Sequence, residues 1–183
     1  MRDYKEIQVA RSGDGGSGEL SIWEQQFLKE YSLDIKSPIL DIGCGNGGLI
    51  RSFSAMGLSA MGLEISDEAV KKGITMGTPI VNWDAHNEFP FPEKTFKNIT
   101  MFHVIEHTYD PQKVVDNIYR VLDGTIYMIA PGSDNNKQYA HYLTYKTFDE
   151  LKSYFSRFQI LRAEVWNNYF LIVANNERTQ TIS

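Results

Sequence analysis

One cysteine, Cys44, is all the sulfur chemistry this 183-residue chain has to offer beyond its methionines. A lone thiol excludes an internal disulfide and a thiolate cluster around a metal, and it points to a reducing cytoplasm. A basic surplus is missing too. Eighteen Lys and Arg face 23 Asp and Glu, for a formal charge of -5. That balance argues against the broad phosphate-facing surface that nucleic-acid binding needs, though not against a small basic patch. No apolar run approaches the ~20 residues of a membrane-spanning helix. The opening "MRDYKEIQVARSGDGGSGEL" carries no apolar leader core either. The expectation is a soluble cytoplasmic protein with no membrane partner. With 42% hydrophobic residues, the chain has enough apolar surface for one real core.

What is present falls into a rhythm. The Gly/Ser-rich "RSGDGGSGE" marks residues 1–19 as a flexible segment, either a frayed terminus or a lid, ahead of a folded domain spanning 20–183. Ile22, Trp23, Phe27, Leu28 and Tyr31 then recur at helical spacing. After them, short apolar strands alternate with helices: "PILDIG", "GLIRSFSAMG" closed by Gly57, "LSAMGLEI", and "SDEAVKKGITMG" with Ser66 as N-cap. "PIVNWD", "NITMFHVI", "DPQKVVDNIYRVL" with Pro111 in its first turn, and "GTIYMIAP" continue the alternation. Such alternation predicts a doubly wound α/β fold, a mostly parallel sheet with helices on both faces. The tail breaks the rule. After the helix "TFDELKSYF", the runs "FQILRAEVW" and "YFLIVAN" are separated only by Asn167 and Asn168. So short a connection makes an antiparallel hairpin, so the expected sheet has seven strands with the last one reversed.

The densest feature is "PILDIGCGNGGLI", with Gly43, Gly45, Gly47 and Gly48 inside six positions between a strand and a helix. Glycine loses more backbone freedom on folding than any other residue, so this concentration implies a ligand that approaches the main chain closely. The spacing Gly43-x-Gly45-x-x-Gly48 fits a nicotinamide enzyme, a flavoprotein or a binder of another adenosyl ligand. Three carboxylates narrow the choice. Asp41 precedes the loop, where it repels a pyrophosphate and attracts an ammonium group. Glu64 ends the second strand, placed to accept ribose hydroxyls, and Asp84 ends the third, in reach of an adenine amino group. Together they describe a ligand with adenine, ribose and a positively charged amino-acid tail.

In order and spacing, "ILDIGCGNGG", "GLEIS", "DAHNEFPFPEKTF" and "VIEH" resemble the class I S-adenosylmethionine-dependent methyltransferases, nearest the ubiquinone- and menaquinone-type branch. The resemblance implies a Rossmann-like fold, S-adenosylmethionine as cofactor and S-adenosylhomocysteine as product. It implies that Asp41, Gly43, Gly45 and Gly47, with Cys44 in the same loop, hold the methionine part. Glu64 and Ile65 would hold the ribose, Asp84 and Ala85 the adenine, and His103, closing the fourth strand, would lie beneath the cofactor. The chain departs from the family at Phe96-Lys97 and at Leu122-Asp123-Gly124-Thr125, both away from the ligand end.

"HVIEH", His103 to His107, also spells His-x-x-Glu-His, a zinc signature that requires both histidines on one α-helix. The strand-like run before it and "TYDP" after it leave no room for that helix, so no metal is expected. His107 instead falls where an acceptor would meet the transferable methyl. There it either takes the acceptor's proton or, with Glu106, ties down the loop. Tyr139, His141 and Tyr142, after the fifth strand, are the candidate lining of a small-molecule acceptor pocket. The alternative is a non-catalytic adenosyl-ligand binder that regulates or scaffolds a partner. The acceptor atom and the oligomeric state have no signature in the sequence.

Overall fold

The computed structural model describes residues 20–132, 145, 147–166 and 169–176. Two compact units divide the chain, Met1–Asn87 and Glu88–Ser183. The seven strands belong to one sheet, in the order β3-β2-β1-β4-β5-β7-β6.

The first unit opens with helix α1, Ile22–Tyr31. Its start is a reciprocal cap: Ser21 Oγ accepts from Glu24 N–H, and Glu24 Oε2 accepts from Ser21 N–H at 2.6 Å. Strand β1, Ile39–Ile42, is buried along its whole length and leads through the glycine loop into helix α2, Gly48–Ala55. Strand β2 is Ala60–Glu64, helix α3 Asp67–Thr75 and strand β3 only Ile80–Asn82. All pairings here are parallel, β1 with β2 and β2 with β3. The caps read from sequence are in place. Gly57 turns at φ +79 after α2, and Ser66 Oγ accepts from Ala69 N–H at 3.3 Å to start α3.

The second unit holds strand β4, Phe96–Phe102, helix α4, Pro111–Val121, and strand β5, Leu122–Pro131. Helix α5, Phe148–Ser153, then precedes strands β6, Gln159–Trp166, and β7, Tyr169–Asn175. Asp110 caps α4 through Lys113 N–H, with Pro111 in the first turn as expected. β4 and β5 run parallel, whereas β7 is antiparallel to both β5 and β6. The last strand in the chain is therefore inserted backwards between β5 and β6, as the two-residue connection required. The Rossmann-like, mostly parallel arrangement is the one expected. Among the described residues no helix is long and apolar enough to cross a membrane.

Two strand ends differ from expectation. β4 stops at Phe102 because His103 turns to φ +57, a left-handed conformation that breaks an extended run, so His103 follows the strand instead of closing it. β3 stops at Asn82, which leaves Asp84 in a turn, although Trp83 N–H still donates to Glu64 O at 2.9 Å.

Candidate functional site

In the first unit the glycine loop is fastened to β2 from both ends of a short arc. Gly43 N–H donates to Leu63 O at 2.8 Å, and Gly45 N–H donates to Glu64 Oε2 at 2.9 Å. The other carboxylate oxygen, Glu64 Oε1, accepts from Ser66 N–H at 2.8 Å. One buried side chain thus ties the loop to the start of α3. A carboxylate has about four acceptor positions, so two remain for other donors.

The loop needs its glycines for two different reasons. Gly47, at φ +81, is pressed on Thr78, and a Cβ there would overlap Thr78 Cγ2. Gly45, at φ +56, has nothing within 4 Å of where its Cβ would project. That side of the loop is open, and a side chain would occupy it. Asp41, buried on β1, and Glu64 both lie close enough to the loop to act on the Cys44 thiol. Two buried carboxylates beside exposed loop backbone suit a cationic ligand and oppose a pyrophosphate. The donor set therefore fits the adenosyl amino-acid ligand read from the sequence.

The Cys44 side chain packs on β2, with its Sγ where a Gly62 side chain would stand. Burial, then the charges of Asp41 and Glu64, push the thiol well above its ordinary range. Folding keeps this thiol neutral while the unfolded chain would ionise it. Its contribution to stability is therefore complete below the unfolded thiol pKa and declines as pH rises through and above it. Two results are expected. Iodoacetamide at pH 8 leaves Cys44 unmodified in the folded protein but alkylates it in denaturant, as intact mass would show. The urea midpoint also falls between pH 8 and pH 10.

Asp84 and Ala85 occupy the turn after β3. Asp84 Oδ1 accepts from His86 N–H at 2.9 Å and faces His86 Nδ1 at 2.8 Å, while the carboxylate stays 29% exposed. His86 is buried and absent from the sequence reading; an Asp-x-His tripeptide in a polar turn carries no mark that its ring will face inward. A second brace was also missed. The Arg51 guanidinium, on α2, donates to Asn46 O at 2.6 Å and Thr78 Oγ1 at 2.9 Å, holding the loop to the turn before β3. Ile65 is half-buried, and its carbonyl accepts from Asn82 Nδ2 at 3.2 Å.

In the second unit, residues just past β4 gather around a carboxylate. His103 N–H donates to Ile129 O at 2.9 Å, and its ring meets Tyr169 edge-on with centroids 5.1 Å apart. Ile105–His107 is one turn of 3-10 helix. Glu106 is buried, with Oε1 3.6 Å from His103 Nδ1 and 3.9 Å from His107 Nε2. Both separations exceed hydrogen-bond length, so Glu106 faces the two rings without being bonded to either. The histidines sit on a strand end and a single 3-10 turn, not one α-helical turn apart, which is not the geometry of the zinc signature. Tyr145, fully buried, donates its hydroxyl to Pro131 O at 3.1 Å. Tyr139, His141 and Tyr142 lie outside the described residues.

A family model described as a methyltransferase domain matches residues 22–165. The chain belongs to the methyltransferase-domain family. It is 32% identical over 89 residues to a ubiquinone biosynthesis O-methyltransferase of Paraburkholderia phymatum, a match covering 43% of this chain and 36% of that protein. This methyltransferase-domain chain thus aligns with about a third of that relative's length. Among solved structures it is similar to magnesium protoporphyrin IX methyltransferase from Synechocystis PCC 6803 with bound SAM. The TM-score is 0.72 and the identity 14%, covering 97% of this chain and 99% of the other. It is also similar to geranyl diphosphate C-methyltransferase from Streptomyces coelicolor A3(2), crystallised with Mg2+, geranyl diphosphate and S-adenosyl-L-homocysteine. There the TM-score is 0.72 and the identity 13%, covering 96% of this chain and 99% of the other. At such identities the likeness is one of fold, and it agrees with the strand order of this methyltransferase-domain chain.

Proposed function

We propose that this chain is an S-adenosylmethionine-dependent methyltransferase acting on a small-molecule acceptor in the cytoplasm. The observation that carries the reading is the glycine loop bracketed by Asp41 and Glu64, with an open face at Gly45. Asp41 holds the ligand's ammonium group, Glu64 its ribose hydroxyls, and Asp84, steadied by His86, the adenine amino group. Gly43, Gly45 and Gly47 give the backbone its close approach, with the Cys44 and Ile65 main chain and Ala85 completing the wall. His103 is a further wall for the same ligand.

S-adenosylmethionine supplies a methyl group on a sulfonium, which leaves as a neutral thioether. The protein's part is alignment, exclusion of water and removal of the acceptor's proton. His107, whose side chain is 25% exposed, receives that proton. Tyr145 is not the acceptor of the proton, because burial and the charge of Glu106 hold its phenol protonated well above the ordinary range. Tyr139, His141 and Tyr142 are assigned to the acceptor pocket. The quinone-type branch, supported by the Paraburkholderia relative's name, makes an aromatic hydroxyl the acceptor of choice.

Calorimetric titration with S-adenosylmethionine, S-adenosylhomocysteine and NAD tests the cofactor. Both adenosyl ligands should bind with micromolar dissociation constants, and NAD should give no heat. Asp84→Ala should weaken both adenosyl ligands about tenfold, the worth of one hydrogen bond to a charged group. Binding of NAD alone would make the loop a dinucleotide site and end this reading.

A further inference from the structure

Among the described residues of the second unit, Glu106 is the most enclosed charged group. Its side chain is 2% exposed, and Oε2 is buried without a hydrogen-bond partner. Oε1 faces His103 Nδ1 and His107 Nε2 at 3.6 and 3.9 Å. Glu106 also acts on Tyr145, whose hydroxyl is committed to Pro131 O. Removing a carboxylate from water costs several kcal/mol unless a cation compensates it. Protonation of a facing imidazole is the compensation these residues offer. His103 adds a second sign that the arrangement is held for use, because a non-glycine residue at φ +57 stores backbone strain.

We infer that Glu106 is a positioning residue that makes His107 a proton acceptor, its buried carboxylate stabilising the imidazolium that forms at methyl transfer. This rests on the reading of His107 given above. In the step, the acceptor oxygen bonds the methyl carbon as the carbon–sulfur bond breaks, and sulfur keeps the electron pair. The O–H proton passes to the His107 imidazole, and the positive charge moves from sulfonium to imidazolium. Glu106 then faces a cation where it had faced a neutral ring. Such a pair serves an acceptor that gives up a proton on methylation, and the aromatic hydroxyl proposed above is one of that kind.

The test needs no acceptor. The ring resonances of His107 are assigned by comparison with His107→Gln and followed by NMR from pH 5 to pH 9 in the full chain. In the wild-type protein the His107 ring should titrate above the ordinary imidazole midpoint of about 6.5. Glu106→Gln, which keeps the shape and removes the charge, should lower that midpoint by about one pH unit, a tenfold loss of proton affinity. Glu106→Asp, which restores the charge, should recover part of the shift. A wild-type midpoint below about 6, or one that Glu106→Gln leaves in place, would overturn the inference, and the wild-type measurement stands even if a variant fails to fold. A negative result here with intact binding of S-adenosylmethionine removes the Glu106 role alone. A positive result without that binding removes the cofactor reading instead.

Discussion

Glu64→Ala should lower the affinity for S-adenosylmethionine about 100-fold and destabilise the protein without ligand. The two effects share a cause. In the ligand-free chain Glu64 accepts from Gly45 N–H at 2.9 Å and from Ser66 N–H at 2.8 Å. Truncation leaves both backbone donors without their partner, at about 1–3 kcal/mol for each buried group left unsatisfied. The loop then loses its tie to β2 at Gly45, the residue proposed to receive the ligand. On the proposed binding mode two charge-assisted hydrogen bonds to ribose would be lost as well, and roughly 3 kcal/mol corresponds to the 100-fold drop. Calorimetry gives the affinity, and urea unfolding gives the stability. Glu64→Gln separates the contributions: it fills the same space but presents one acceptor oxygen, so stability should recover more than affinity. Equal affinity in Glu64→Ala and wild type would mean that the ribose is held elsewhere.

Gly47→Val should be the most damaging single change in the loop, lowering stability by about 2–5 kcal/mol. A β-branched residue at φ +81 meets the left-handed penalty of roughly 1–2 kcal/mol. Its side chain also runs into Thr78 Cγ2 and approaches Ile80 Cδ1. Overpacking of that kind costs about 1–3 kcal/mol. Gly45→Ala offers the contrast. It shares the left-handed backbone at φ +56 but would meet nothing within 4 Å. It should lose about 1–2 kcal/mol of stability from the backbone alone while abolishing ligand binding, because the methyl fills the cradle. Thermal denaturation with and without S-adenosylmethionine distinguishes the two. Gly47→Val should unfold about 10 °C lower, and Gly45→Ala should unfold slightly lower but gain no protection from ligand. If Gly45→Ala is protected as fully as wild type, the ligand does not lie against Gly45.

Sequence alone determined the features that depend on neighbours in the chain. The Ser66 cap, the Gly57 stop and Pro111 in the first turn of α4 each involve residues a few positions apart, so their signals lie within one short window. The reversed final strand follows from the shortness of the Asn167–Asn168 connection, which no parallel crossover can span. The positions of the carboxylates were legible to within a residue or two because strand ends are marked by where apolar runs stop: Glu64 ends β2, Asp41 lies one residue inside the end of β1, and β3 stops two residues short of Asp84.

What only the tertiary structure decided is how those groups are held. Arg51 reaches Thr78 across 27 residues, and Glu64 reaches Gly45 across 19. His86 and Glu106 are polar letters in polar stretches, and nothing in their own windows says that each is buried. Burial of a charged side chain depends on which distant segments close over it, and that information is spread along the chain instead of residing at the residue. The same reason explains His103, whose left-handed turn ends β4 one residue early: its N–H is bound to Ile129 on the neighbouring strand, a partner that no local pattern names.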